Sequence, residues 1–186
     1  MRKKKSSWHL KKASEIIRSG GVIAYPTEAV YGLGSDPWDR KAVLKILSIK
    51  KRSINKGLIV IASDLRQLES LICIPDQFIK TKILKTWPGP STWVLPASAQ
   101  CPYWLRGEHS GLAVRISAHP LCKALCDLAG PIVSTSANLA SQPSLKTAWK
   151  VQMQFNDQLD YLLRGSLSGN AEPSSIIDAI SDKIIR

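Results

Sequence analysis

The sequence has few acidic residues, few histidines and no long apolar run. Its 186 residues include 14 Asp and Glu against 26 Lys and Arg, a formal net charge of +12, and three histidines. No apolar stretch approaches the roughly 18 residues that a membrane-spanning helix needs, and no apolar segment follows the basic residues 2–5. We therefore expect a cytoplasmic protein without a membrane contact. The excess of positive charge favours a phosphate-bearing partner, either a nucleic acid or a nucleotide.

The motifs of several common enzyme classes are also missing. There is no G-x4-G-K-[ST] loop, and the glycines at 32–34 lack the third glycine of the dinucleotide-binding fingerprint. G-x-S-x-G and H-E-x-x-H are absent, and nothing in the sequence pairs a histidine with a particular serine. The four cysteines lack the spacing of a zinc site, so we expect buried thiols. No acidic cluster is visible, and we expect no permanently bound metal.

Helical and strand patterns alternate along the chain. Apolar spacing predicts helices over 8–18, 40–50, 65–72, 77–87, 120–128 and 147–155. Short apolar runs predict strands over 22–25, 58–62, 92–95, 112–116, 132–134, 159–163 and 175–180, with loops over 27–36 and 96–110. This alternation indicates an α/β fold, with one mixed β-sheet covered by helices. We expect a single domain over 1–186, in which residues 1–7 form a basic N-terminal tail.

Three segments between these elements combine small polar residues with cations. The first, 26–34, reads P-T-E-A-V-Y-G-L-G and follows a strand, where α/β folds usually place ligand contacts. The second, 50–57, carries Lys50 and Arg52, whose spacing lets both side chains point to one side of an extended loop. A lysine supplies a mobile charge and an arginine a planar fork, a combination that suits a polyphosphate.

The third segment, 133–138, reads V-S-T-S-A-N after a strand. Its hydroxyls and amide are suited to phosphate oxygens, a ribose or an amino acid, without adding charge. Each segment also has a structural interpretation: a tight turn around a buried tyrosine, a solvated basic loop, and a helix cap. Their joint occurrence in one α/β chain favours a binding site.

Together these segments resemble the YrdC/TsaC family, the short form of threonylcarbamoyl-AMP synthase. The family pattern K-x-R … S-x-N is matched by Lys50, Arg52, Ser136 and Asn138. Further matching stretches lie at 26–34, 87–92, 113–115, 119–120 and 173–178, so that the likeness runs from about residue 13 to residue 186. The resemblance implies a YrdC-like domain with a positively charged concave cavity, without the C-terminal domain of longer relatives. Ser53 departs from the pattern, because many relatives have proline there.

The resemblance also implies a reaction. The family joins L-threonine, bicarbonate or CO2, and ATP into L-threonylcarbamoyladenylate, and releases pyrophosphate. Proteins of the downstream transferase complex then move the threonylcarbamoyl group to adenosine 37 of tRNAs that read ANN codons, which forms N6-threonylcarbamoyladenosine (t6A). Mg2+ is expected to accompany ATP. No covalent enzyme intermediate is needed, in agreement with the absence of an obvious activated nucleophile.

Residue roles follow from the same resemblance. The family's catalytic residues correspond to Lys50, Arg52, Ser136 and Asn138. Its ATP-binding residues correspond to Arg52, Lys56, Ser136, Asn138, Ser144 and Arg186. Its threonine-binding residues correspond to Thr27, Tyr31, Lys50, Arg115, Ser134 and Ser174, of which Arg115 is expected to pair with the carboxylate.

Three other functions stay open at this stage. A basic face with six tryptophans would suit double-stranded RNA, tRNA or rRNA. A different acyl-adenylate or carbamoyl-transfer enzyme on the same fold is the second alternative, although such relatives are much longer chains. The third is a non-catalytic interaction protein, which the intact K-x-R … S-x-N pattern disfavours.

Overall fold

Eight strands form one mixed sheet with helices on both faces, as the alternating pattern predicted. The computed structural model describes residues 2–140, 142–169 and 174–186. The helices are α1 (Arg2–Arg18), α2 (Arg40–Lys50), α3 (Gln77–Leu84), α4 (Tyr103–Arg106), α5 (Pro120–Ala129) and α6 (Ala148–Phe155). Short 3-10 helices cover Ile54–Lys56, Leu65–Leu68 and Asn156–Gln158. Within these described ranges no helix is both long and apolar enough to cross a membrane.

The strand order brings distant parts of the sequence side by side. The strands are β1 (Ile23–Pro26), β2 (Tyr31–Gly34), β3 (Ile59–Ala62), β4 (Ser91–Pro96), β5 (Gly111–Ile116), β6 (Ile132–Ser136), β7 (Tyr161–Leu162) and β8 (Ser175–Asp178). Their order across the sheet is β7-β1-β2-β6-β3-β5-β4-β8. The pairs β1–β7, β3–β5 and β4–β8 are parallel, and the other neighbours are antiparallel.

Alternate residues of each strand enter two separate cores, because successive side chains of a strand point to opposite faces. Val60 packs in the larger core, with apolar residues of α2, α3 and α6. Its neighbour Ile61 packs in the smaller core, with residues of α1 and α5. Tyr25 also belongs to the smaller core and is completely buried. Helices α1 and α5 cover one part of this face, and the rest of the face is free to form a cavity.

Several predicted elements need correction. Residues 27–36 are not all loop, because 31–34 form β2, the partner of β1 in an antiparallel hairpin. The two glycines were interpreted as turn residues, but a Cβ on Gly34 would lie 2.7 Å from the ring of Tyr25 and 2.8 Å from the carbonyl oxygen of Val133. Glycine is therefore needed here for close packing. The predicted helix over 65–72 is reduced to one 3-10 turn, and the predicted loop over 96–110 contains α4.

Helix α1 begins earlier than the apolar pattern predicted. The backbone of residues 2–7, interpreted as a basic tail, is helical and continuous with the rest of α1. Lysine and arginine are good helix formers, and no glycine or proline interrupts residues 2–18. The apolar pattern marked only the part of the helix that packs against the sheet and α5.

Candidate active site

A cavity of about 1060 Å³ lies against the sheet. Its floor consists of alternate strand residues, which point to the same face: Ala113 and Arg115 of β5, and Ser134 and Ser136 of β6. The hairpin tip between β1 and β2 and the basic segment after α2 complete its walls. The three segments selected from the sequence therefore meet at one cavity.

The end of α2 delivers the first two cations to this cavity. Asp39 caps the start of the helix by accepting a hydrogen bond from the backbone N–H of Ala42 at 3.0 Å. Lys50 is the last helical residue, and Lys51 takes the left-handed conformation with φ of 50°. That conformation is uncommon outside glycine and ends the helix abruptly. The chain consequently turns there, and Lys50 and Arg52 both line the cavity.

The buried ammonium group of Lys50 is surrounded by hydrogen-bond acceptors. Its Nζ donates to the side-chain oxygen of Asn138 at 3.0 Å and to the carbonyl oxygen of Asn138 at 2.9 Å, and it also contacts the carbonyl oxygen of Ser136. The Ser136 hydroxyl donates to the same Asn138 side-chain oxygen at 2.6 Å. Burial and the nearby Arg52 lower the pKa of Lys50 to about 8. Three of the four predicted catalytic residues thus form one hydrogen-bonded cluster.

Arg52 has a buried donor that no described residue satisfies. Its Nη2 donates to the carbonyl oxygens of Gly57 at 2.9 Å and Lys56 at 3.3 Å. Its Nε is buried and has no hydrogen-bond partner among the described residues. Burial and the positive charge of Arg186 lower the pKa of Arg52. A guanidinium held by two carbonyl oxygens and short of an anionic partner is suited to phosphate.

Arg115 lies next to an acid that sequence reasoning did not select. Its Nη2 is 3.1 Å from Oε2 of Glu28, and both side chains are more than nine-tenths buried. This contact is an ion pair outside hydrogen-bonding geometry, so Oε2 of Glu28 lacks a hydrogen-bond partner in the described structure. The Nε of Arg115 is also buried without a partner there. The other oxygen of Glu28 accepts from the Ser117 hydroxyl at 2.7 Å. Burial opposes ionisation of Glu28, but Arg115 and Ser117 outweigh it and lower its pKa.

The remaining predicted residues divide into two groups. Those that line the cavity are Thr27, Lys56, Ser134, Ser144, Ser174 and Arg186. The hydroxyl of Ser134 accepts a hydrogen bond from Tyr25 at 2.8 Å, which leaves its own proton free for another acceptor. Tyr31 is the exception: its side chain is almost fully buried, and its hydroxyl donates to the carbonyl oxygen of Gly165 at 2.8 Å. Successive residues of β2 face opposite sides of the sheet, and the ring of Tyr31 lies on the side of the larger core, away from the cavity.

The sequence analysis predicted five of the charged residues in the lining as site residues and missed the other five, which include all three acids. Seven cationic and three acidic side chains line the cavity. The acids are Glu28, Glu108 and Asp178. Glu28 lies inside the P-T-E stretch that had been singled out, and its place in that stretch was the signal available for it. No group of three or more His, Cys, Asp and Glu side chains within the described ranges is placed to hold a metal ion.

The chain is similar to known proteins over most of its length. The Sua5/YciO/YrdC family model, described as telomere recombination, matches residues 15–186. The threonylcarbamoyl-AMP synthase of Pseudomonas aeruginosa strain UCBPP-PA14 is 46% identical over 182 residues, which are 97% of this chain and 98% of the relative. The synthase of Coxiella burnetii is 47% identical over 175 residues, 94% of each chain.

Solved structures give the same result. The fold matches P. abyssi Sua5 complexed with L-threonine with a TM-score of 0.86 and 34% identity, over 92% of this chain and 51% of that chain. It matches E. coli YciO with a TM-score of 0.84 and 26% identity, over 95% and 87% of the two chains. With a family model that covers nearly the whole chain and relatives of this similarity, the chain belongs to the Sua5/YciO/YrdC family.

Proposed function

We propose that this chain is a threonylcarbamoyl-AMP synthase, an ATP-dependent nucleotidyltransferase. Its substrates would be L-threonine, bicarbonate or CO2, and ATP, and its products L-threonylcarbamoyladenylate and pyrophosphate. The observation that carries the proposal is the convergence of Lys50, Arg52, Ser136 and Asn138 on one cavity, in a chain 46% identical to synthases of that name. The comparisons do not favour RNA binding as the principal function, and direct contact with tRNA stays a prediction.

The charge of the cavity suits the reaction. The threonine ammonium group first gives a proton to solvent. The neutral amine then forms a C–N bond to CO2, one C=O π bond of CO2 becomes the negative oxygen, and the nitrogen gives a second proton to solvent, which yields a carbamate. A carbamate oxygen then forms a bond to the α-phosphorus of ATP, while the bond from that phosphorus to the bridging oxygen breaks and pyrophosphate leaves with the electron pair. When bicarbonate is the source, one water is released. Anion approaches anion in this step, so the surplus of cationic side chains in the lining would stabilise the transition state.

The chemistry of each lining residue suggests its role in the reaction. Arg52, with unused N–H groups, would grip phosphate oxygens, with Lys56, Ser144 and Arg186 along the nucleotide. Lys50 would stabilise the negative charge where the carbamate and the α-phosphate meet. Its hydrogen bonds to Asn138 hold the ammonium group in place for this role. Mg2+ would enter with the phosphates of ATP and neutralise part of their charge.

The amino acid would occupy the part of the cavity around Arg115. Its carboxylate would pair with the guanidinium, and Thr27, Ser134 and Ser174 would supply polar contacts. The adenylate product would then pass, in the cytoplasm, to the transferase proteins that modify adenosine 37 of tRNAs reading ANN codons. That transfer would keep the reactive mixed anhydride from hydrolysing in water.

A direct assay tests the proposal. The purified chain is incubated with ATP, Mg2+, L-threonine and labelled bicarbonate, and both pyrophosphate release and labelled threonylcarbamoyl-AMP are measured. We expect the two products in equal amounts, and neither when threonine or bicarbonate is omitted. Pyrophosphate release that is independent of threonine would contradict the proposal.

A further inference from the structure

Glu28 is a buried carboxylate in a mostly cationic cavity, and two side chains fix its position. Its side chain is 7% exposed. One carboxylate oxygen accepts from Ser117 at 2.7 Å, and the Ser117 hydroxyl in turn accepts from the backbone N–H of His119 at 3.1 Å. The other oxygen lies 3.1 Å from Arg115. The hairpin tip, the end of β5 and the start of α5 together hold this charge at the wall.

The Glu28–Arg115 pair is incompletely satisfied. Within the described part of the chain, the Arg115 guanidinium makes an ion pair with Glu28 but no hydrogen bond, and its Nε is buried without a partner. Buried donors and acceptors that lack partners cost free energy, and at a cavity wall they indicate a ligand with complementary groups. Here the complementary groups are an anion for the guanidinium and a cation for the carboxylate.

The two regions of the cavity differ in charge balance. Lys50 and Arg52 form no ion pair with any described residue, so this region attracts anions without compensation. Arg115, by contrast, is paired with the carboxylate of Glu28, which offsets its charge. A polyphosphate gains more in the first region. In the second region, a molecule with both a positive and a negative group is attracted by Glu28 and by Arg115, one charge to each.

We infer that Glu28 is a specificity determinant that makes the Arg115 region a site for a zwitterion, so that an α-amino acid is accepted and a simple carboxylate or a phosphate is not. The inference rests on the proposed function and adds to it the group that recognises the ammonium charge. Recognition operates through the field of the carboxylate at short range. Carbamate formation requires the ammonium group to release one proton to solvent, and the resulting neutral amine releases a second proton as it bonds to CO2. The attraction to Glu28 is then lost, and the new carbamate anion is drawn toward Lys50 and Arg52.

A comparison of two ligands tests the inference without requiring turnover. L-threonine and 3-hydroxybutyrate share the carboxylate and the hydroxyl, but only threonine has the amine. Calorimetric titration of the full chain gives the dissociation constant of each. Glu28→Gln keeps the shape of the side chain and removes its charge. We expect the preference for threonine over 3-hydroxybutyrate to fall by about tenfold or more in this variant, the size expected when a nearby opposite charge is removed.

The matched control is Ser117→Ala, which removes the hydrogen bond to Glu28, while Arg115, which lowers the pKa of Glu28 more than Ser117 does, continues to favour the charged carboxylate. We expect this variant to keep the wild-type ratio of the two dissociation constants. An equal loss of both ligands in Glu28→Gln would mean that Glu28 only positions Arg115, and would overturn the inference, as would an unchanged ratio.

Folding and the proposed function are checked in the same experiment. Should Glu28→Gln lack a cooperative thermal transition, the wild-type protein decides: binding of 3-hydroxybutyrate as tight as that of threonine overturns the inference, and clearly weaker binding supports it. A wild-type chain that binds no threonine, even with ATP present, contradicts the proposed function itself. Threonine binding with an unchanged ratio in the variant overturns only the inference about Glu28.

Discussion

The ammonium group of Lys50 lies 3.0 Å from the side-chain oxygen of Asn138, a residue 88 positions later in the chain. This contact joins the end of α2 to the loop after β6, and it exists because β6 lies next to β2 and β3 in the sheet. The same oxygen accepts from Ser136, so that one amide organises a lysine and a serine together. Removing that amide therefore tests the whole cluster.

Asn138→Ala should leave Lys50 with only backbone acceptors. We expect kcat of adenylate formation to fall by about 100-fold or more, the scale seen when a preorganised electrostatic contact is lost from an active site. Steady-state pyrophosphate release measures this. Gln142 is a suitable control position, because it contacts the Asn138 amide only through its backbone carbonyl oxygen. A change of its side chain leaves the hydrogen bonds among Lys50, Ser136 and Asn138 in place. Gln142→Ala should therefore retain near wild-type kcat, and a matching loss in both variants would count against the role of Asn138.

Arg52→Ala removes the guanidinium that has unused donors in the cavity. We expect kcat/KM for ATP to fall by about 10- to 100-fold, because charge-assisted hydrogen bonds contribute about 1.5–3 kcal/mol. Arg66→Ala is the matched control, since Arg66 is exposed, pairs with Asp64 and lies outside the cavity. Unchanged ATP kinetics in Arg52→Ala would end the proposed role of this residue.

Arg115→Ala separates the two substrates. The guanidinium is expected to meet the threonine carboxylate, so the KM for threonine should rise by at least about tenfold and more than the KM for ATP. Initial rates are measured with each substrate varied at saturating levels of the other. An equal rise in both constants would remove the assignment of Arg115 to the carboxylate.

The lowered pKa of Lys50 predicts a pH dependence of ATP binding. Without ligand this amine loses its proton near pH 8, and bound phosphates favour the protonated form and raise its pKa. ATP affinity should therefore be full below about pH 8 and should weaken as the pH rises through the higher pKa of the complex. Titrations between about pH 7 and pH 10 measure it. The Lys50→Arg variant stays charged over this range, so its ATP affinity should change less with pH than that of the wild-type protein. The same pH dependence in both proteins would exclude Lys50 as the titrating group.

Two glycines of β2 predict a difference in stability. A Cβ at position 34 would lie 2.7 Å from a ring carbon of Tyr25 and 2.8 Å from a backbone oxygen, whereas at position 32 the nearest atom is 3.3 Å away. Gly34→Ala should lower the free energy of unfolding by about 1–3 kcal/mol, the usual cost of overpacking. Gly32→Ala, in the same strand, should cost clearly less. Denaturant unfolding of both variants measures the difference, and equal losses would show that the contact with Tyr25 does not decide it.

Local patterns predicted the elements whose signals are contained in adjacent residues. Helix α2 was predicted at its observed bounds, because its apolar face, its capping Asp39 and its basic end all lie within a few positions of each other. Strand β2 was missed for the opposite reason. Its glycines are explained by the ring of Tyr25, which reaches them across the hairpin, and no property of the segment 31–34 alone reveals that contact.

The candidate site shows the same division. Residue types and order predicted that cations and small polar groups would meet, and the predicted residues other than Tyr31 line one cavity. Tyr31 lies outside this lining, and a tyrosine within a predicted ligand loop gives no sign of which face of its strand it occupies. The pairing of Glu28 with Arg115 was missed because the first residue lies in the turn between β1 and β2 and the second in β5, and several other elements separate them in sequence.

The sequence by itself determined the fold class, the surplus of positive charge and the residue types available for phosphate and amino-acid chemistry, since these depend on composition and local spacing. Only the tertiary structure decided which charges are balanced and which are free. Electrostatic balance depends on distances between side chains and on their exclusion from water, and both are set by the order of the strands.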